Sequence, residues 1–563
     1  MKALNLRDSL TRSPLRLAFF LLPLVLACFA LSPVARAVTP APDGGYPGGN
    51  TAEGENALFK LTTGAYNTAM GYQALFSNTT GHHNTANGAN ALLLNTTGYY
   101  NTATGDAALQ NNTTGYYNTA TGDAALYNIR SGYQNTATGY QALYNQYYYG
   151  DNTANGFQAL YTNSSGSDNT ATGSVALYRN TGGSFNTATG QGALYSNTTG
   201  SNNTANGDTA LGSNTTGHDN TANGHIALFY NTTGSNNTAN GSYALFGSNI
   251  NPGTGSNNTA SGFSALYSNT TGHDNMASGI NALYSNTTGY DNMASGSSAL
   301  RSNMGGYYNT ASGFNALYSN TTGFSNTATG TSALRNNTGG TSNTANGVNA
   351  LYNNTGSNNI GLGYNGGVNL TTGSKNIDIG NIGVAAESST IRIGTAANQT
   401  RAFVAGIRGV TTVNANAVPV VIDSAGQLGT VSSSRRFKHE IKPMHQTSEA
   451  ILALEPVTFQ YKSDKTGTPQ FGLIAEEVAK VHPALVVRDD KGEIYTVRYE
   501  AVNAMLPNEF LKEHRKVEQL KKDFESKLAE QQRQIKALTS GLEKVSAQLE
   551  TNKPALQMVA NDQ

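Results

Sequence analysis

Three consecutive serines, Ser432, Ser433 and Ser434, stand just before Arg435, Arg436 and Lys438, and these are the residues in the chain best suited to covalent chemistry. A serine hydroxyl is a weak nucleophile until a neighbouring group takes its proton. A lysine takes a proton only where desolvation or nearby cations pull its pKa toward neutrality. By itself, however, the run also reads as a flexible basic linker. Other chemistries are poorly provided for. The single cysteine, Cys28, excludes an intramolecular disulfide framework and any CxxC metal or redox site. His439, His445 and His482 have no ligand-like spacing and read as surface residues. Asp106, Asp123 and Asp168 are scattered where calcium-binding coils need carboxylates at fixed places. No repeated Asp/Glu pair suggests a glycosidase. Neither a metal nor a cofactor is expected.

The elements that would position this run follow from an uneven composition. The 563 residues carry 34 basic and 34 acidic side chains, a net charge of zero that gives no reason to expect nucleic-acid binding. Between Asn50 and Asn358 there are only 5 basic and 10 acidic residues. That stretch repeats the unit Asn-Thr-Ala-x-Gly-x-x-Ala-Leu-Tyr-x-Asn-Thr-Thr-Gly-x-x eighteen times, with every spacing but one equal to 17 residues. The exception is a four-residue insertion around Asn251, Pro252 and Gly253. Seventeen residues are too few for a helical repeat, and the Gly and Asn would break helices. Two short strands joined by Gly/Asn turns, each unit forming one coil of a parallel β-solenoid, are the predicted structure. Ala and Leu would line a thin core and Asn would form ladders. So small a coil buries little apolar surface, so the Ala-Leu-Tyr edges are expected to pack against other chains, most simply as a trimer.

The repeats and their continuation Asn359-Ile360-Gly361-Leu362-Gly363 resemble the β-roll heads of trimeric autotransporter adhesins over roughly residues 50–390. That resemblance implies a left-handed roll and three-chain association. The chain departs from it by ending in a charged helix and Asp562-Gln563, without the amphipathic β-strands of an outer-membrane anchor. The Asn-Thr-Thr triplets match glycosylation acceptors, but they fall where the repeat needs a turn and read as turn residues. Thr pairs such as Thr102 with Thr104 and Thr119 with Thr121 would form ladders on a flat face; the plain reading is β-propensity and solubility, the sharper one binding to ice or another lattice.

Beyond residue 359 the period dissolves into Gly-punctuated pieces read as a neck, and charge density rises at Ser432. Pro456-Val457-Thr458-Phe459-Gln460-Tyr461 has a strand pattern. Phe471-Gly472-Leu473-Ile474-Ala475-Glu476-Glu477-Val478 reads as a strand entering a helix, and 484–499 as a hairpin turning at Asp489-Asp490-Lys491-Gly492. In this order, with Tyr499 and a closing helix, these features resemble the C-terminal intramolecular chaperone auto-processing domain of phage tailspikes, endosialidases and related surface fibres. The resemblance implies a domain that helps three chains fold and then cuts itself off with a Ser/Lys dyad. It assigns Ser433 as nucleophile and Lys438 as base, with the cut between Ser432 and Ser433. Ser434 stands where the family often has Asp, so Ser432 and Ser434 remain alternative nucleophiles. Arg435 and Arg436 would help depress the Lys438 pKa, and burial at a trimer interface would couple cutting to assembly. Glu476 and Glu477 read as structural or as orienting the basic loop.

Arg7, Arg12 and Arg16, the apolar run from Leu17 to Leu31 and Ala35-Arg36-Ala37 read as a secretory signal peptide over 1–37. At the other end Val517, Leu520, Phe524, Leu528, Ile535, Leu538, Leu542, Val545 and Leu549 are spaced mostly by 3 and 4, a coiled coil with a stutter at Phe524–Leu528. The expected organisation is a mainly β chain: signal peptide 1–37, linker 38–49, solenoid 50–358, β-rich neck 359–430, a small α+β chaperone and peptidase domain 431–510, coiled coil 511–552 and tail 553–563. The expected protein is a secreted or cell-surface homotrimeric fibre, adhesin-like, binding a receptor, glycan or matrix ligand, without a transmembrane anchor after signal cleavage. Its one enzymatic act would be a single self-cleavage. A polysaccharide-binding or -degrading spike and an ice-binding repeat protein are the alternatives.

Overall fold

The computed structural model describes residues 46–395, 398–407, 412–413, 416–423, 425–489 and 491–552. The predicted signal peptide 1–37, the tail from 553 and most of the predicted linker 38–49 lie outside them. The described residues form two compact units, divided between Ala402 and Phe403.

The first unit is a parallel β-solenoid of 21 strands, β1 (Thr51–Glu53) to β21 (Ile391–Ile393), each three residues long. Each strand pairs in parallel and in register with the next, so Thr102, Ala103 and Thr104 lie beside Thr119, Ala120 and Thr121. The central Ala is fully buried, and the flanking residues point outward. Each coil therefore has one strand where two were predicted. The Ala-Leu-Tyr segment is a chain of turns in which Ala107 (φ 53°) and Leu109 (φ 55°) adopt left-handed backbone. That conformation is unfavourable for leucine, but it turns the Leu109 N–H along the solenoid axis onto the Ala125 carbonyl of the next coil at 3.0 Å. The same leucine is fully buried. Because the Ala and Leu of this segment are sealed inside their own chain, only the aromatic residue of Ala-Leu-Tyr is left for contacts with other chains.

So thin an apolar core needs polar order, and two columns of buried asparagines supply it. Asn101 donates its backbone N–H and its Nδ2 to Oδ1 of Asn84, at 3.0 and 3.1 Å, and Nδ2 again to the Gly115 carbonyl at 2.7 Å. In the second column, Asn95 Nδ2 bonds to Asn78 Oδ1 (2.7 Å) and to the Gly98 carbonyl (3.1 Å). The asparagines of the Asn-Thr-Thr triplets Asn78 and Asn95 are thus buried with their amides committed, which opposes glycosylation there. Coils also stack closely. A Cβ on Gly105, whose φ is +129°, would meet the Gly122 carbonyl oxygen at 2.6 Å, so this position in the repeat is held to glycine.

The ladder does not stop at residue 358. β19 (Ile360–Leu362), β20 (Ile377–Ile379) and β21 extend it into the first part of the segment predicted as a neck, 359–430. The asparagine column explains why: Asn359 and Asn376 keep it, Asn376 N–H donating to Asn359 Oδ1 at 2.9 Å. The outward positions change character here, from Thr, Asn and Ser to Ile360, Leu362, Ile379, Ile391 and Ile393, all exposed.

At β20 the inward position, Ala in β1 to β18 and Gly361 in β19, is Asp378, buried with neither carboxylate oxygen hydrogen-bonded. Burial, with Glu387 adding, pushes its carboxyl up to about 6, against the pull of Arg392. Arg392, next in register, is engaged bidentately by Glu387. A folded-state pKa above the unfolded value of 3.8 means that the stabilising state is the protonated one. Its contribution is complete below the unfolded value and is lost as pH rises through about 6. Amides of residues 376–393 are expected to exchange faster at pH 8 than at pH 5 after correction for intrinsic rates. Asp378→Asn should remove the difference.

The second unit holds three antiparallel pairs: β22 (Val421–Ile422) with β23 (Leu428–Gly429), β24 (Val457–Phe459) with β25 (Gln470–Gly472), and β26 (Val486–Arg488) with β27 (Ile494–Val497). Helix α1 (Ala475–Val481) precedes the last hairpin, and the 53-residue α2 (Tyr499–Thr551) ends the described chain. Helix α2 begins at Tyr499, well before the coiled coil predicted from 511. Among the described residues no helix is long and apolar enough to cross a membrane.

Candidate functional site

The core that carries the candidate site is small. Val478 of α1, Leu485 of the turn that follows it, Val486 and Val497 of the last hairpin and Met505 of α2 are buried together, with Met444, Ile451 and Leu473 packed around them. Tyr499 ties the pieces: its hydroxyl accepts the Leu473 N–H at 2.9 Å. The approach leaves no room at Gly472, where a Cβ would lie 2.7 Å from that oxygen. The hairpin turn forms on Asp489, whose Oδ1 accepts the N–H groups of Lys491 and Glu493, both at 2.9 Å.

A second tie joins α2 to the 3-10 segment His445–Ala453 and has no signal in the sequence. Ser448, fully buried, bonds to Glu509 and receives Asn508 Nδ2 at 2.6 Å. Lys512 Nζ lies 2.7 Å from Glu509 and 3.1 Å from Glu449. Hydrogen bonds from Lys512 and then Ser448 hold the Glu509 carboxyl below its usual range. The two sides of this tie are 60 to 63 positions apart, which is why local patterns miss them. Their polar groups satisfy one another, the signature of a structural clamp.

Ser433 stands just before, and Lys438 at the end of, a single tight turn. The Arg435–Phe437 stretch is one 3-10 turn, closed by Phe437 N–H to Ser434 O (3.0 Å) and Lys438 N–H to Arg435 O (3.1 Å). Ser434 N–H reaches Ser432 Oγ at 3.3 Å, and the Arg436 guanidinium sits 4.7 Å from the Phe437 ring centre. Every residue from Ser432 to Lys438 is exposed in the single chain. Among the described residues no hydrogen bond joins Ser433 to Lys438. Glu476 and Glu477, exposed in the first turn of α1, form no ion pair with the basic turn. Their place at the helix N-terminus suits the helix dipole. His439 and His445 are exposed as expected, but His482 is half-buried with an unpaired Nδ1. No group of three or more His, Cys, Asp or Glu positioned for a metal occurs among the described residues.

Residues 433–487 match the family model described as chaperone of endosialidase. The match opens on Ser433 and closes within β26, so it takes in the basic turn, the β24–β25 pair and α1. No curated protein matches the chain. A chaperone of endosialidase segment behind a long β-solenoid suggests a fibre of the tail-spike or endosialidase kind, and with it an extracellular or surface protein.

Proposed function

We propose that the chain is an exported homotrimeric surface fibre whose chaperone of endosialidase domain assists trimer folding and then cuts itself off between Ser432 and Ser433. The observation that carries this reading is the family match beginning at Ser433, behind 21 solenoid strands. In the proposed step Lys438 takes the Ser433 hydroxyl proton and Ser433 Oγ attacks the Ser432 carbonyl carbon. The Ser432–Ser433 C–N bond then breaks, the nitrogen receives the proton, and water hydrolyses the resulting ester to leave a carboxylate on Ser432. A lysine in water is protonated and does none of this. The exposed turn of the single chain therefore fits a site completed by burial against neighbouring copies, which makes cleavage report assembly.

Self-association is supported by apolar surface that one chain leaves open. Val517, Leu520, Phe524, Leu528, Ile535, Leu538, Leu542, Val545 and Leu549 are each between 44% and 74% exposed along α2, a stripe that needs partner helices. Phe437, Phe471, Tyr495 and Phe510 are exposed in the same unit, and the Ile-bearing strands β19 to β21 add a further patch. Light scattering on the purified chain tests this. Three times the monomer mass is expected, falling when Leu538 and Leu542 are both replaced by Asp, and a native monomer would refute the fibre. Ice binding has weaker support, because Thr occupies both outward positions only in strands such as β4 to β6, while Met276 and Met293 interrupt the column. Thermal hysteresis is the test of that reading.

A further inference from the structure

The four-residue insertion does more than lengthen one coil. In most regular coils an asparagine enters the second buried column, as Asn231 does with Asn214 at 2.9 Å and Asn286 with Asn269 at 2.8 Å, while Ile129 and Gln146 fill the position in two others. The coil between Asn231 and Asn269 contributes none. Its chain closes instead at Gly253, whose N–H donates to the Tyr230 carbonyl at 2.8 Å. The missing side chain leaves a void of about 10 Å³ between Asn231, Leu245 and Asn269, room for roughly one water. The asparagines of this coil, Asn249 and Asn251, are carried out to the surface on an exposed loop.

That loop walls a groove of about 470 Å³ against the aromatic column. In regular coils the column rings stack nearly parallel, as Tyr127 on Tyr144 (5.0 Å, 4°) and Tyr161 on Tyr178 (5.2 Å, 5°), so each covers its neighbour's face. Beside the loop the column itself continues, Phe246 on Tyr267 at 4.8 Å and 19°, but a further ring joins it. Tyr230 stands one position over, at 82° to Phe229 and 77° to Phe246, and the equivalent residue in the following coil is Gly247. The groove thus combines Tyr230, Phe246 and Tyr267 with the amides of Asn249 and Asn251, and no charged side chain lines it. Those two amides and the Tyr230 and Tyr267 hydroxyls hold no hydrogen bond among the described residues.

We propose that this groove is a binding site for a pyranose unit of a neutral glycan. Tyr230, a ring outside the stacked column with glycine at its position in the next coil, offers a face to the C–H side of a sugar ring, and planar amides bond pairs of neighbouring hydroxyls. A few uncommitted polar groups converging on aromatic walls are what fixes such a ligand's orientation. The absence of charge in the lining disfavours acidic sugars, whose carboxylate would lose hydration without a partner. The site lies within one chain and depends on neither self-cleavage nor trimer formation.

The test is calorimetric titration of the full chain with maltohexaose, cellohexaose, xylohexaose and mannohexaose. At least one is expected to bind with a Kd of about 1 mM or tighter. Tyr230→Ala should weaken that binding about tenfold or more, while Tyr127→Ala, in the stacked column, should leave it unchanged. Replacing residues 248–252 by a single Asn restores the 17-residue unit and refills the buried column, so this variant should fold at least as well and lose binding. Failure of all four sugars to bind, or equal binding by native chain, Tyr230→Ala and loop replacement, overturns the proposal. Ser433→Ala should bind as the native chain does, which separates this result from the fate of the processing reading.

Discussion

Ser433→Ala is expected to leave the chain whole, while the native chain releases a fragment that begins at Ser433 and ends at Gln563. Intact mass of the purified protein separates the two. Removing a nucleophile lowers such a step by a factor on the order of 10³ or more, which over a preparation means no visible fragment. Lys438→Ala should be as silent. Lys438→Arg should also fail, although it keeps the charge, because a guanidinium does not give up its proton in a protein. Ser432→Ala should slow the cut less, since the Ser432 hydroxyl serves a turn contact with the Ser434 N–H. Because burial of Lys438 is assigned to neighbouring copies, Leu538→Asp with Leu542→Asp should also suppress cleavage. That pair lies far along the sequence from the basic turn, so its effect distinguishes an assembly-coupled cut from one made by an isolated chain. Cleavage that persists in Ser433→Ala but stops in Ser434→Ala would move the nucleophile by one residue; persistence in both would remove the dyad.

Asn118→Ala should open the solenoid locally and severely. Asn118 donates its N–H and Nδ2 to Asn101 Oδ1, both at 3.1 Å, and Nδ2 to the Gly132 carbonyl at 2.8 Å. Its own Oδ1 accepts the N–H and Nδ2 of Asn135 at 3.1 and 3.0 Å. Alanine strands the Gly132 carbonyl and the Asn135 N–H in a dry interior, at about 1–3 kcal/mol for each stranded group. A cost of about 4 kcal/mol at one coil is the expected sum. Asn118→Asp keeps the shape but loses both side-chain donors, and at neutral pH it adds an unpaired buried charge, so it should do no better. The damage stays near the site because each coil touches only the next ones. Hydrogen exchange should therefore show lost protection around residues 101–151 with distant coils unchanged. Uniform loss along the solenoid would mean that it unfolds as one body.

Much of this was legible in the residues. Eighteen copies of one unit leave little choice but a solenoid, and the Ala, Leu and Asn positions were the right ones for its interior. The strand count was not legible. An apolar Ala-Leu-Tyr run looks extended, and leucine avoids left-handed backbone in isolation. Only the neighbouring coil, whose carbonyl the turned Leu109 N–H reaches, makes that conformation worthwhile. The extension past residue 358 could have been found by following Asn343, Asn359 and Asn376, which carry the ladder when Thr and Ala no longer do. In the second unit the β24–β25 pair, α1 and the Asp489 hairpin follow from pattern. The Ser448–Glu509 clamp does not, since no local periodicity links residues that far apart. Ser433 and Lys438 were legible as candidates, but the activation proposed for them rests on burial against neighbouring copies, which no pattern within one chain encodes.

The in-register stacking of identical coils also makes reach a counting number. Each strand adds about 4.8 Å along the axis, so twenty steps from β1 to β21 amount to roughly 100 Å. Duplicating or deleting one unit keeps every contact type at the joint, because the surfaces brought together already meet elsewhere in the stack. Length can therefore drift through unequal exchange between gene copies of the repeat without any retuning of the fold. A feature carried on one particular coil, such as the groove beside Asn251, would then move nearer to or farther from the chaperone-bearing end in fixed increments.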